Sequence, residues 1–138
     1  MVKNMPFHLL ETETTNRLIN RLVEVALDKS GRIRSSRHAA AIIMPRGHRI
    51  LAIGWNKLKS HPMQAKFSMD AGRPQRIFLH AETDAIIKTI NKHGSEILSE
   101  CDLYVIRITK DGTLAGSRPC TSCCNLVNHF GINHVFHS

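Results

Sequence analysis

Aromatic side chains are scarce. One Trp, one Tyr and five Phe make up 5% of the 138 residues. Proteins that grip single-stranded nucleic acid lean on aromatic stacking platforms as well as on charge, so this scarcity weighs against a dedicated strand binder. No apolar run approaches the roughly 20 residues needed to cross a bilayer. The opening residues, Met-Val-Lys-Asn-Met-Pro-Phe-His, lack a long apolar stretch followed by a small-residue cleavage site, so no secretory leader is expected. Cysteine is limited to Cys101, Cys120, Cys123 and Cys124. Three of these crowd together near position 120, a poor layout for a disulfide framework and a good one for a metal. Thiolate ligands must stay reduced, and a cytoplasmic setting is expected. Repeats and low-complexity tracts are missing as well.

Acidic residues are the minority, 11 against 19 Lys and Arg, for a net charge of +8. That balance attracts anionic partners and leaves the fold open. Two readings stand: a phosphate-bearing partner, or an ordinary basic globule. At 42% hydrophobic and 22% charged, the chain can bury a core and has the composition of a globular protein. Its length favours one domain spanning 1–138, with 1–13 as a loosely tied lead-in.

Periodicity places the elements. Thr14 or Thr15 can cap a helix whose Leu18, Ile19, Leu22, Val23 and Ala26 recur at helical spacing, with Gly31 as its stop. Residues 39–44 are nearly all apolar, as in a strand covered on both faces. A Pro45-Arg46-Gly47 turn then leads to a return strand over 49–55. Residues 56–79 read as a long polar connection carrying Lys57, Lys59, Lys66, Arg73 and Arg76. Loops of this length are usually functional or mobile. A helix follows from about His80 to Lys92, and a strand over 103–108. A second helix is expected with Pro119 at its first position, running to Phe130 before Gly131. A short strand over 132–136 comes last. The order α-β-β-α-β-α-β predicts a helix-flanked α/β sheet of about four strands.

The chemistry is concentrated in two short runs. His80-Ala81-Glu82 opens one predicted helix, and Pro119-Cys120-Thr121-Ser122-Cys123 opens another. H-x-E followed by P-C-x-x-C is the signature of zinc deaminases. Cys120 and Cys123 lie three apart on one helical face, close enough to share an ion. With His80 they make three ligands and leave a fourth tetrahedral position for water, as in a catalytic zinc site. Two thiolates and an imidazole suit zinc, whereas magnesium and calcium prefer oxygen. Helix N-termini favour the thiolate. A C-x-x-C alone is also compatible with a structural half-site or a redox pair. Cys124 is a conceivable fourth ligand for such a site, but it neighbours Cys123 and points elsewhere on a helix, so it is assigned to the core. A catalytic zinc lowers the pKa of its water to about 7. Glu82 can then carry the proton from that water to a ring nitrogen, and later to the leaving amine. A first-turn glutamate can also serve only the helix dipole. Its place two residues from a ligand favours catalysis.

These motifs and the order of elements resemble the cytidine/deoxycytidylate deaminase superfamily over roughly residues 14–137. The resemblance implies a three-layer helix–sheet–helix core with a mixed sheet and one zinc ion held by His80, Cys120 and Cys123. It implies Glu82 as the proton shuttle and the Ala81 N–H as partner of a pyrimidine carbonyl. Gly54-Trp55-Asn56 matches the family's G-x-N, in which Asn56 would hold sugar or base; a plain turn residue is the other reading. Lys57, His61 and Arg118 are candidate substrate contacts, although a solvated loop position would also explain His61. Larger relatives add a helix and a fifth strand. Here the edge of the sheet is expected to be covered by the N-terminal segment or by a partner subunit. The implied substrate is a cytosine-containing nucleotide or nucleoside, dCMP foremost. Cytosine in single-stranded DNA or adenosine in RNA is the alternative, and a homo-oligomer is expected.

Overall fold

The structure is a computed structural model and describes residues 3–6, 12–29 and 36–138. Its elements are β1 (Lys3–Pro6), α1 (Glu13–Lys29), β2 (Arg37–Met44), β3 (Arg49–Trp55), α2 (Pro62–Asp70), α3 (Ala81–His93), β4 (Asp102–Ile108), β5 (Leu114–Ala115), α4 (Thr121–Phe130) and β6 (His134–His137). A short 3-10 turn, Glu96–Glu100, links α3 to β4.

The sheet runs β1-β6-β4-β2-β3, and β5 pairs with the end of β4. β6 is parallel to both β1 and β4, while β2 is antiparallel to both β3 and β4. The sheet is therefore mixed, as expected. Alternate side chains divide it into two cores. Ala40, Ile42, Leu103, Val105 and Val135 pack with Ala85 and Ile86 of α3 and Leu126 of α4. Ala39, Ala41, Ile43, Tyr104, Ile106 and Phe136 pack with Leu18, Leu22 and Ala26 of α1. A strand buried on both faces needs a continuous apolar run, which is why 39–43 shows no polar alternation. The three layers are α1, the sheet, and α3 with α4.

Four sequence expectations change. Lys3–Pro6, placed in a loose lead-in, forms a parallel edge strand on β6. The sheet edge is thus covered by the N-terminal segment, and the strand count rises from four to six. The first helix begins at Glu13, not after Thr14 or Thr15, because the Thr12 hydroxyl accepts the Thr15 N–H at 3.1 Å. Gly31, its expected stop, lies outside the described residues. The long connection contains α2, with Pro62 in its first turn and the His61 Nδ1 accepting the Met63 N–H at 3.1 Å. Proline is tolerated where a helix begins, so Pro62 does not break α2. Pro119 falls one residue before the cap of α4, and that cap is Cys120.

Gly54 brings α3 onto β3. A Cβ there would stand 2.3 Å from the Ala85 nitrogen and 2.5 Å from the Ala81 carbonyl oxygen. Only glycine lets backbone approach backbone so closely. This contact sets the height of the α3 N-terminus above the sheet.

Candidate active site

Two helix N-termini converge. His80 caps α3 and Cys120 caps α4, both with extended backbone, and neither side chain makes a capping hydrogen bond. Their side chains turn toward each other. His80 Nδ1 lies 3.2 Å from Cys123 Sγ and 3.5 Å from Cys120 Sγ. All three ligand atoms fall within 4.8 Å of one another. A tetrahedral zinc with bonds near 2.3 Å to sulfur and 2.0–2.1 Å to nitrogen sets adjacent S and N atoms roughly 3.6 Å apart. The observed spacing and the donor set both fit zinc.

The electrostatics agree with that fit. The Cys120 thiol is pulled down to about 3, first by its hydrogen bond with Cys123, against burial, and then by His80 and Ser122. Cys123 moves upward, first because it shares that bond with Cys120, then through burial and the nearby Glu82 charge. The surroundings thus favour the thiolate at Cys120, the form that ligates metal. His80 is raised, first by its hydrogen bond to Cys120, against burial.

Glu82 sits in the first turn of α3 and is buried. With His80, Ala81 and Cys120 it lines a cavity of about 640 Å³. Asn56, Lys57 and Arg118 line the same cavity. His61 does not; its ring caps α2. The Asn56 amide grips the start of β2: its Oδ1 accepts the His38 N–H at 2.9 Å and its Nδ2 donates to the Ser36 carbonyl at 2.8 Å. The Lys57 ammonium is committed to Asp84 at 3.0 Å and lies 4.5 Å from the Trp55 ring centre. Of the other loop cations, only Arg76 reaches the cavity.

Sequence reasoning missed two features. His38 lines the cavity beside Glu82, and burial pushes its pKa down while the Glu82 charge opposes that shift. No motif marks it, since a histidine opening a strand carries no signal of its own. Asp84, nearly buried, accepts from Lys57 Nζ, Lys88 Nζ and the Trp55 N–H at 3.0, 3.0 and 3.1 Å. It locks the end of β3, and with it Asn56 and Lys57, to α3. Its place on the helix, two residues beyond Glu82, was the available clue. Phe78 is 52% exposed at the cavity wall. Cys124 stays outside the ligand cluster, its Sγ 3.5 Å from the Pro119 carbonyl.

One His and two Cys side chains converge at paired helix N-termini of a three-layer α/β fold, a group that could hold a zinc ion and leave a fourth position open. The family model for the cytidine and deoxycytidylate deaminase zinc-binding region matches residues 12–138, and the chain belongs to that family. The solved structure of guanine deaminase from Bacillus subtilis is similar, with TM-score 0.54 and 21% identity over 89% of this chain and 62% of that one. That likeness is one of fold, and the chain spans 62% of the length of that enzyme. The dCMP deaminase of cyanophage S-TIM5, solved with dCMP and dUMP, gives TM-score 0.49 and 20% identity over 88% of this chain and 80% of that one. A structure from work on A-to-I editing by tRNA:A34 deaminases gives 0.48 and 17% over 87% and 75%. No curated protein sequence matches. Among the described residues no helix is long and apolar enough to cross a membrane.

Proposed function

We propose that this chain is a zinc-dependent hydrolase that deaminates a cytosine-containing nucleotide or nucleoside, dCMP to dUMP foremost. The observation that carries the reading is the buried Glu82 carboxylate, set beside the His80–Cys120–Cys123 cluster in the wall of a substrate-sized cavity. A purely structural zinc site has no use for an acid there. His80, Cys120 and Cys123 would hold the ion. When bound, zinc acts as a Lewis acid that makes hydroxide available near neutral pH.

The other steps belong to the chain. Glu82 takes a proton from the attacking water and delivers it to N3 of the ring as the C4–O bond forms. It then carries the second proton to the exocyclic amine. The C4–N bond breaks, ammonia leaves, and the ring keeps a carbonyl at C4. The Ala81 N–H, one of the donors left without a partner in the first turn of α3, would donate to the ring carbonyl. Asn56 holds the sugar side while it braces β2. Arg76 and Arg118, both exposed at the cavity, take the phosphate. Lys57, tied to Asp84, contributes positive field more than a direct contact. The cavity lies within the roughly 300–1,000 Å³ usual for small-molecule sites.

A polynucleotide substrate is the second reading. The exposed Phe78 and Leu58 at the cavity, beside Arg76 and Arg118, are what favour it, since a base flanking the target could stack there. Mass spectrometry separates the two. The protein and its Glu82→Ala variant would be incubated with dCMP, deoxycytidine, dCTP and a cytosine-containing single strand. Deamination adds about one dalton, an amino group giving way to oxygen. A gain on dCMP, cut by about 10²–10⁴-fold in the variant, is expected. A gain on the strand alone would move the substrate to nucleic acid. Full activity in Glu82→Ala would refute the mechanism.

A further inference from the structure

Gln64 belongs to neither the cavity wall nor the ligand cluster, yet it reaches the centre of the site. Its side chain is 1% exposed. The His80 N–H donates to its Oε1 at 3.1 Å, and its Nε2 donates to Ser68 Oγ at 3.1 Å. Ser68 is itself fully buried. The amide has one orientation that works, because a backbone N–H needs an acceptor and only the carbonyl end supplies one.

The partner of this bond matters. His80 is the cap of α3, so its N–H has no acceptor within the helix, and its ring makes no capping bond. The chain on either side is clamped by backbone bonds: Leu79 N–H to the Lys59 carbonyl at 2.9 Å, and Asp84 N–H to the His80 carbonyl at 3.0 Å. Gln64 supplies the restraint at the His80 N–H. It does so from α2, which packs on α4 through the Phe67–His129 edge contact, ring centres 5.5 Å apart. α4 carries Cys120 and Cys123. One short helix therefore touches both ligand-bearing helices, leaning on one and holding the other at the residue that ligates.

We infer that Gln64 is a positioning residue for the zinc site, holding the His80 backbone at the angle that sends Nδ1 toward both thiols. This rests on the ligand assignment made above. Outer partners that orient a metal ligand are typically worth 10–100-fold in metal affinity. Gln64→Met keeps the length and apolar bulk and removes the acceptor. Gln64→Glu keeps an acceptor oxygen at the same reach.

The test measures zinc affinity by competition with a chromogenic chelator, and the tetrahedral d–d spectrum after cobalt substitution, on the purified full chain. Gln64→Met is expected to weaken zinc about 10–100-fold and to shift or broaden the cobalt bands. Gln64→Glu should restore both. A merely structural glutamine would lower the melting temperature of zinc-loaded and zinc-free protein alike and leave affinity untouched, and that result overturns the inference. So does a Gln64→Glu variant as weak as Gln64→Met. If Gln64→Met proves insoluble, Ser68→Ala, which releases the far end of the amide, is expected to weaken zinc in the same direction; unchanged affinity there also overturns it. Cys120→Ser is the control for the ligand assignment. Tight zinc in that variant would topple the site reading itself, whatever Gln64 does.

Discussion

Gly54→Ala should be the most damaging single-methyl change near the site. The added Cβ would sit 2.3 Å from Ala85 N, 2.5 Å from Ala81 O and 2.9 Å from Ala85 Cα. Ordinary contact begins near 3.4 Å. All three atoms are helix backbone, so no rotamer change relieves the overlap. α3 must lift from β3 by about an ångström. That movement stretches two bonds that tie the helix to the strand, Lys88 Nζ to the Ile53 carbonyl at 3.1 Å and the Trp55 N–H to Asp84 at 3.1 Å. Overpacking a tight core costs about 1–3 kcal/mol, and the rigid neighbours here put the cost at the top of that range. Each weakened hydrogen bond adds about 1 kcal/mol. The stiffer unfolded chain of an alanine variant returns about 0.4–1 kcal/mol. The net is about 4–5 kcal/mol, a large share of the 5–15 kcal/mol typical of a domain, and a melting point lower by roughly 15 °C. Urea unfolding followed by circular dichroism reads the stability, and a chelator assay on the same samples reads the zinc. Because the N-terminus of α3 carries His80 and Glu82, zinc retention and activity should fall with stability. Loss of under about 1 kcal/mol with unchanged zinc affinity would refute the argument that this contact sets the height of the helix.

Cys120→Ser should abolish stoichiometric zinc while Cys124→Ala leaves it intact; zinc loss in the second variant, measured by atomic absorption, would point to a structural cysteine-rich site. Asp84→Ala strands the Lys57 and Lys88 ammoniums and the Trp55 N–H. Breaking a buried ion pair costs about 3–5 kcal/mol, but side chains still 28% and 33% exposed keep some water, so about 2–3 kcal/mol is expected by urea unfolding. Burial pushes the Cys101 thiol up from 9.0 to about 11. The folded chain then holds that proton after the unfolded chain has lost it, so this contribution to stability is present below pH 9 and lost toward pH 11. Cys101→Ala should flatten that alkaline decline, and an identical slope in the variant would contradict the assignment.

The candidate metal site was legible because metal ligation demands particular residue types at fixed spacings. The His80-Ala81-Glu82 and Pro119-Cys120-Thr121-Ser122-Cys123 runs are far apart in sequence, and the structure brings His80, Cys120 and Cys123 together as a group that could hold an ion. The main strands were legible for a related reason: a run buried on both faces cannot alternate. α2 was not. Its inward face carries Gln64 and Ser68 beside Phe67, so it shows almost no apolar stripe. Periodicity fails when a buried face is polar and satisfied by hydrogen bonds. β1 was missed because four residues give little pattern, and their parallel partner β6 lies far away in the sequence. Lys57 and His61 were candidate substrate contacts, with a solvated loop position as the other reading of His61. The structure pairs Lys57 with Asp84 in the cavity wall and His61 with the α2 backbone, partners that sequence spacing does not record.

The features that went unread share a role. Gly54 sets how close α3 lies to the sheet, Asp84 ties the end of β3 to that helix, and Gln64 holds His80 against α2. None touches the reacting atoms. Each constrains a different degree of freedom of the α3 N-terminus: its height, its lateral position and the angle of its first residue. Ligand spacing in a zinc site tolerates errors of only about 0.2 Å, which a two-residue motif on a free helix could not hold. Transplanting His80-Ala81-Glu82 and the Cys120–Cys123 run onto another helix pair would therefore carry the donors across without the precision. Gly54 packs on Ala85 beside Asp84, and its replacement strains the Trp55 N–H to Asp84 bond, so the effects of Gly54→Ala and Asp84→Ala on zinc affinity should fall short of additivity, as coupled neighbours do.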